Sequence, residues 1–536
     1  MRAGRRPAAH TGTGHDRPPR CGTGPVNFAS AVRDHMSDST VLAGAAASGP
    51  GFADFGRLAH QYIDGRWRTG TGSWDIIDFN PFNGEKLAAI TVATVSEVDE
   101  AYRAAERAQK PWAAAGPHAR RTVLEKALRI TEEHTAQIVE AMCEEQGATR
   151  SKARHEVEAA AEFLREAIRL TVRPEGLIVP ASQRSRENRV YRLPVGVVGV
   201  ISPFNFPFLV ALKTVAPALA LGNAVVVKPN QNTPVTGGGL IARIFEEAGL
   251  PAGLLNVVVT DIAEIGDALI AHPVPRVISF SGSDRVGRHV GAVAASHLKR
   301  TVLELSGNSA LVVLADADVD YAVDAAVFSR FVYQGQVCTA ANRILVDRAV
   351  EAEFTEKFTA RVRALRTGDP REEETDLGPV ISDFQADALS AMVERALAEG
   401  ATALVRGRTL GNLVEPTVLT GVPADSALLH QEIFGPVVVL VPFDGDDEAV
   451  RIANDTPYGL SGAVHTADAE RGVNFAHRVE TGMIHVNDST VQDDPQVAFG
   501  GEKASGSGRL NGEATVEAFT TQKWISVQHG RSTFPF

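Results

Sequence analysis

Cysteine is scarce in this chain of 536 residues: only Cys21, Cys143 and Cys338 occur. Three thiols cannot pair completely, and their scatter excludes a disulfide framework and a zinc site, so no metal is expected and a reducing cytoplasm fits. Basic residues are outnumbered by acidic ones, 53 to 65, for a formal net charge of -12. A protein that tracks phosphate backbones carries a basic excess, so nucleic acid is not expected as a partner. Long hydrophobic runs are missing too. The longest, such as Pro194–Val200 and Ala224–Val227, are far too short to cross a bilayer, and no membrane association is expected. What is present is 44% hydrophobic and 22% charged residues with 48 Gly and 28 Pro. That composition belongs to a soluble globular protein, and the length calls for two or more domains.

The N-terminus stands apart. Residues 1–35 hold six Arg and two Asp among scattered Pro and Gly, with no apolar run to make a secretory signal. Residues 1–55 read as a disordered tail, with Met36 as an alternative start. Cys21 falls in that tail, where neither a structural nor a catalytic role is expected. Order begins near residue 56. The alternating segments Gln61–Arg68 and Trp74–Phe79 read as a β-hairpin, with the turn over residues 80–84. Ser96 opens a helix, and a second runs from Arg120 to Glu145. Cys143 lies beside the apolar stripe of that second helix and reads as a small core thiol.

From Pro194 onward, short apolar runs alternate with helical segments. Strands are expected over Val195–Ile201, Ala224–Lys228, Leu255–Val259, Val277–Phe280 and Thr301–Leu305. Helices are expected over Phe208–Leu221, Val235–Ala248, Ile262–Ala271 and Arg285–Ala295. This is the pattern of βαβ units around a parallel sheet buried on both faces, hence an α/β, Rossmann-like domain. No G-x-G-x-x-G follows its first strand, so the dinucleotide fingerprint is absent; Gly506-Ser507-Gly508 reads as a flexible turn. A second series follows: a strand over Leu311–Leu314, a helix over Tyr321–Phe331, a strand over Arg343–Val346, a helix over Glu351–Leu365 and a strand over Val437–Val441. It predicts a second α/β domain. The terminal strand Phe519–Ser526 must pair somewhere, in this subunit or another.

Three residues could carry chemistry. Cys338 sits in Gly335-Gln336-Val337-Cys338-Thr339-Ala340, where small residues suit a tight turn into a helix; a thiol at a helix N-terminus has a lowered pKa and is the better nucleophile. Glu304 lies in the apolar run Val302-Leu303-Glu304-Leu305. It is either an outward-facing edge residue or a half-buried general base with a raised pKa. Asn205, in Pro203-Phe204-Asn205-Phe206-Pro207, follows the first parallel strand at the end where ligands bind in such sheets. It is either a turn residue or an amide donor to an oxyanion.

Together with other motifs, these residues resemble the aldehyde dehydrogenase superfamily from about residue 56 to the C-terminus. The motifs are residues 203–207, Lys228-Pro229, Phe280-Ser281-Gly282-Ser283 with Gly287, Glu304-Leu305-Ser306-Gly307, Gly335-Gln336-Val337-Cys338, Glu432-Ile433-Phe434-Gly435-Pro436, and residues 499–506. His485-Val486-Asn487-Asp488 and the ending Lys523-Trp524-Ile525-Ser526 look most like the benzaldehyde and vanillin dehydrogenase branch. The resemblance implies NAD(P)-dependent oxidation of aromatic aldehydes through a cysteine thiohemiacetal and an acyl-enzyme thioester. Cys338 becomes the nucleophile, Asn205 an oxyanion donor and Glu304 the base that activates water. Lys228, Gln231, Gly282, Ser283, Gly287, Glu432 and Phe434 are implied to bind the cofactor, and Phe206, Lys213 and Phe499 to line the substrate pocket.

Three departures qualify it. Gln231 replaces an acid common in NAD-preferring relatives, which leaves NAD and NADP both open. Thr214 and Leu510 replace a Lys and a Glu that serve as an accessory proton relay in many relatives. Lys213 replaces an aromatic tunnel residue; it either borders the pocket, where it could stack on an aromatic ring, or points to solvent. The implied organisation is a cofactor domain over 56–175 and 195–306 and a catalytic domain over 307–508. Residues 176–194 and 509–536 form an oligomerisation arm in a dimer or tetramer. A branch acting on semialdehydes or aliphatic aldehydes is the alternative reading. Transfer of the acyl group to coenzyme A is disfavoured, because a hydrolytic base at Glu304 would waste it. A silent cofactor-binding protein would not need Cys338, Asn205 and Glu304 together.

Overall fold

Five Val-, Ile- and Leu-rich runs become the parallel centre of an eight-stranded sheet. The computed structural model describes residues 51–173 and 176–536. In spatial order the five are Leu255–Val257, Ala224–Lys228, Val197–Ile201, Val277–Ser281 and Arg300–Glu304. Chain order thus reverses between Val197–Ile201 and Val277–Ser281, which lie side by side and in parallel. A reversal of this kind opens a crevice beyond the carboxyl ends of two neighbouring strands. The helices Val95–Ala114, Pro207–Ala220, Leu240–Glu247 and Asp284–Ser296 pack on this sheet. That cover explains why the strands read as continuous apolar runs rather than alternating ones.

A seven-stranded sheet follows, in the order Thr402–Val405, Thr417–Thr420, Val437–Phe443, Ala341–Asp347, Ser309–Val313, Gly462–His465 and His485–Val486. All its pairings are parallel except that of the edge strand Thr402–Val405. A three-stranded sheet is built from Gly176–Val179, Arg186–Pro194 and Thr520–Gln528. Both parts expected to be α/β are so.

Several local expectations are corrected. Gln61–Arg68 is a complete hairpin by itself, Gln61–Ile63 with Arg66–Arg68, turned by Asp64 and Gly65 at positive φ. Asp75–Phe79 belongs to a second hairpin with Lys86–Thr91. The helix expected over Arg120–Glu145 is two, Gly116–Glu133 and Thr135–Gln146, broken at His134. There the Thr135 hydroxyl donates to the Thr131 and Glu132 carbonyls, a local bond that competes with the helical ladder. Gly506 and Ser507 do not make a flexible turn: they pair antiparallel with Leu303 and Glu304 and close the edge of the first sheet. The terminal strand finds its partner within the chain, against Arg186–Pro194 over its whole length.

Most of the expected tail, with Cys21 and Met36, lies outside the described residues. Its last part does not behave as a tail: Asp54 caps a short helix at Phe55, and the Phe52 ring stacks on His134 with centroids 3.8 Å apart. Cys143 is fully buried as expected, and burial pushes its thiol up to about 12. Among the described residues no helix is long and apolar enough to cross a membrane.

One buried acid pair shapes stability. Glu145 accepts from the Val235 and Thr236 amides at 2.7 and 2.8 Å, and the fully buried Asp78 faces it. Burial, and then the Glu145 charge, raise the Asp78 carboxyl. The folded state therefore keeps a proton that the unfolded chain releases near pH ~4, so stability present below that pH is lost as pH rises. Asp78→Asn keeps the shape without the titration. It is expected to raise the melting temperature by roughly 2 °C or more at pH ~8.5, and by less at pH ~5. A pH-independent difference in thermal unfolding would contradict this.

Candidate active site

The crevice opened by the strand reversal is where the sequence motifs meet. The segment after Val197–Ile201 carries Asn205, and the segment after Val277–Ser281 carries Gly282 and Ser283. Glu304 ends the next strand, paired through the register with Ser281. The second sheet supplies the thiol. Cys338 lies between a short 3-10 turn, Val332–Gly335, and the strand Ala341–Asp347. No helix begins there, so the expected helix N-terminus is absent.

The backbone leading to Cys338 is strained. Tyr333, Gln334 and Gly335 are consecutive residues at φ 48, 55 and 70. A non-glycine residue held there costs about 1–3 kcal/mol and persists only where its surroundings over-determine it. Hydrogen bonds to distant segments and close backbone packing do so here. The Tyr333 hydroxyl donates to the Gln146 carbonyl at 2.9 Å. The Gln334 amide donates to the Gly147 and Pro379 carbonyls at 3.0 Å. Gln336 Oε1 accepts from the Ile381 amide at 3.0 Å. A Cβ on Gly335 would meet the Gly435 carbonyl at 2.4 Å. In the run Tyr333–Ala340 every residue is buried except Cys338, which reaches the surface in part.

Asn205 is 7% exposed, and its Nδ2 donates to the Gln336 carbonyl at 2.9 Å, two residues before the thiol. That bond uses one of its two amide hydrogens and holds the amide beside the thiol's segment. Glu304 is 8% exposed. Its Oε2 accepts from the Ser281 hydroxyl at 3.3 Å, while Oε1 has no hydrogen-bond partner among the described residues. Three residues on, Gly307 abuts the thiol's segment so closely that a Cβ would sit 2.1 Å from the Cys338 carbonyl. Glu304 is therefore the buried group and not an edge residue. Burial raises its carboxyl; the Lys213 ammonium pulls it back in part, and Asp493 pushes it up again.

The thiol overturns one expectation. Burial pushes Cys338 up to about 12, reinforced by Glu432 and Glu304 and opposed by Lys213. With no helix dipole to stabilise it, the thiolate has to be generated by a neighbouring base.

Lys213 does not point to solvent. It is 2% exposed; its Nζ donates to Asp493 Oδ2 at 2.8 Å and lies 3.5 Å from the centroid of the Phe499 ring. Phe206 packs edge-on against Tyr333, with centroids 6.0 Å apart.

For a dinucleotide, the residues present fit. Ser283 caps the helix Asp284–Ser296, whose N-terminus faces the crevice as an anion site. A Cβ on Gly287 would meet Leu305 at 2.3 Å, so only glycine lets this helix lie so close to the Glu304 segment. Lys228 ends its strand partly exposed, and its ammonium makes no hydrogen bond or ion pair with the described residues. Burial lowers its ammonium, and Asp261 alone raises it. An unpartnered ammonium suits the hydroxyls of a ribose. Gln231 is exposed three residues further on. Glu432 Oε1 accepts from the Gly307 amide at 2.9 Å, and burial pushes the carboxyl up to about 7. Phe434 meets Phe204 edge-on at 5.7 Å.

Three supporting side chains are absent from the sequence reading. Arg330, fully buried, donates to the Gly335 and Ile433 carbonyls at 2.9 and 2.8 Å and so ties the thiol's segment to that of Glu432. Lys152 donates to the Asn205 carbonyl at 2.8 Å and pairs with Glu156 at 2.5 Å. Glu156 in turn accepts from the Phe208 and Leu209 amides at the start of the helix after Asn205. The signal that could have found this pair is two opposite charges four residues apart on the apolar face of one helix. Arg330, inside the apolar run Val327-Phe328-Ser329-Arg330-Phe331, carries a similar one.

A sheet reversal with a thiol after a strained turn, and a buried carboxyl and an amide around it, suits a covalent, nucleotide-dependent oxidoreductase. The chain belongs to the aldehyde dehydrogenase family, whose pattern it matches over residues 67–525; it is an oxidoreductase acting on aldehydes and uses NAD or NADP. It is 53% identical over 479 residues to benzaldehyde dehydrogenase YfmT of Bacillus subtilis, covering 89% of this chain and 99% of that one. With vanillin dehydrogenase of Corynebacterium glutamicum it shares 46% identity over 468 residues, covering 87% and 97%. The crystal structure of an NAD-dependent benzaldehyde dehydrogenase from Corynebacterium glutamicum superposes with a TM-score of 0.82 at 42% identity, covering 89% of this chain and 98% of that one.

Proposed function

We propose that this enzyme oxidises aromatic aldehydes of the benzaldehyde or vanillin type to carboxylic acids, as the names of its relatives indicate for them. The observation that carries the mechanism is Cys338, the one partly exposed member of a buried and strained run, with the open Glu304 Oε1 nearby. Glu304 takes the thiol proton, and Sγ bonds to the aldehyde carbon. The free Asn205 amide hydrogen and the Cys338 backbone N–H hold the developing oxyanion, each such donor being worth about 3–4 kcal/mol. A nicotinamide held beside Glu432 and Phe434 would supply the two-electron oxidation, as the acceptor of the aldehyde hydrogen as hydride. A thioester on Cys338 results. Glu304 passes the thiol proton to solvent and, as a carboxylate again, takes one from water as the water oxygen attacks the acyl carbon; the C–S bond breaks, the acid leaves and the Cys338 sulfur recovers its proton from Glu304.

Lys228 and Gln231 serve the adenosine ribose, Gly282, Ser283 and Gly287 the pyrophosphate, and Glu432 with Phe434 the nicotinamide ribose. Gln231 carries no charge to repel a 2′-phosphate, so NADP is accepted beside NAD. Phe206, Lys213 and Phe499 wall the pocket. The cofactor domain spans 56–175 and 195–306, and the catalytic domain 307–508. The arm of residues 176–194 and 509–536 joins subunits in a homodimer or homotetramer. Its strands expose Leu177, Ile178 and Trp524, each more than 60% accessible.

Reduced-nicotinamide formation with benzaldehyde, vanillin, succinate semialdehyde and hexanal, each with NAD and NADP, tests the reading. The aromatic aldehydes are expected to give kcat/KM at least about tenfold above the others, because a flat ring fills an aromatic-walled pocket. Preference for the semialdehyde would keep the mechanism and discard the substrate.

A further inference from the structure

The ionisable group beside Glu304 is Lys213, and its surroundings give it more than a place in a wall. Its ammonium is almost wholly buried on the helix Pro207–Ala220. A buried charge needs compensation, and two carboxylates supply it unequally. Asp493 receives a hydrogen bond at 2.8 Å, whereas Glu304 Oε1 lies 3.7 Å away, within Coulombic reach but beyond hydrogen-bonding distance. Asp493 is itself held: its Oδ1 accepts from Asn511 Nδ2 at 2.7 Å. The rings of Phe499 and Phe163, 3.5 and 5.5 Å from Nζ, cover the ammonium. Glu304 thus feels a positive charge while its Oε1 lone pairs stay open, which a base requires. Had Lys213 bonded Glu304 directly, the proton-accepting site would be occupied.

We propose that Lys213, held off by Asp493, is a positioning residue that acts as the counter-ion of Glu304 and keeps its carboxylate available between the two proton transfers of each turnover. This rests on Glu304 as the base and Cys338 as the nucleophile. The charged and titratable groups facing the ammonium are Glu304 from the first sheet, Asp493 from the segment before Phe499, and Cys338 from the second sheet.

Opposite charge at this distance shifts a carboxyl by about 1–3 pH units, and the two partners act in opposite directions. In Lys213→Met the acid limb of the steady-state pH profile is expected to move up by about one unit or more. In Asp493→Asn, which keeps an acceptor for Lys213 but removes the competing charge, the limb moves down. Lys213→Arg returns it towards the wild-type position. A purely structural role would lower activity without moving the limbs in opposite senses. Limbs within about 0.3 unit of wild type in the Met and Asn variants, or in Asp493→Asn alone if the Met variant does not fold, would overturn the proposal. Glu304→Gln separates the two levels. If it turns over at the wild-type rate, the reading of Glu304 as base fails. If it is inactive while the Lys213 and Asp493 limbs stay put, only the counter-ion fails.

Discussion

Cys338→Ala is expected to lose at least about 10⁴-fold in aldehyde oxidation, the scale on which removal of an attacking nucleophile is felt. Binding of NAD or NADP should be retained. The substituted side chain is small, sits where the chain already reaches the surface, and is not what holds the loop. The loop is held by Tyr333, Gln334 and Gln336 through bonds to Gln146, Gly147, Pro379 and Ile381. Steady-state rates together with cofactor titration by fluorescence check both halves. A rate within about tenfold of wild type would remove the thiol from the reaction.

Glu304→Gln carries the second large effect, a fall of about 10²–10⁴-fold in steady-state rate at neutral pH. The thiol and water then share one deficiency, the lack of a base, but they respond differently to pH. The Cys338 thiol is held near 12. Below that value its thiolate fraction rises about tenfold for each pH unit. In the glutamine variant, therefore, the first turnover should climb with pH from about 7 to 10, while release of the acyl group stays slow and an acyl-enzyme accumulates. The wild type is expected to behave otherwise. Its base is a carboxyl raised by burial, so its rate rises through an acid limb above the ordinary carboxylate range and then levels. Stopped-flow formation of reduced nicotinamide, with mass spectrometry of the trapped protein, reads both. A first turnover that ignores pH, or no acyl-enzyme at high pH, would contradict a base at Glu304.

Raised pKa values at Cys338 and Glu304 share their largest cause, desolvation by burial, with neighbouring carboxylates adding to it. Sequence could not supply it. Reading Gly335 and the small residues after it as a turn into a helix led to a lowered thiol pKa; the turn is there, but a strand follows it. Local composition describes a tight turn well and says little about which element comes next. Lys213 is a similar case. From sequence a lysine goes either way. Only the arrival of Asp493, 280 residues further on, beside Glu304 makes burial tolerable.

What the sequence by itself determined is the part governed by local pattern and by motif. Five short apolar runs separated by helical segments specify a parallel sheet covered on both faces, because no other arrangement buries such strands. The motifs around Asn205, Lys228, Gly282, Glu304, Cys338 and Glu432, in their order, specified the family. What only the tertiary structure decided is everything that depends on distant segments meeting. Ser507 closes the first sheet beside Leu303, and the terminal strand pairs within its own chain. The Lys152–Glu156 pair holds the Asn205 segment, and Arg330 joins the segments of Cys338 and Glu432. The physical reason is common to all of them: a buried charge, an edge strand or a left-handed turn is unfavourable locally, and only partners remote in sequence compensate it.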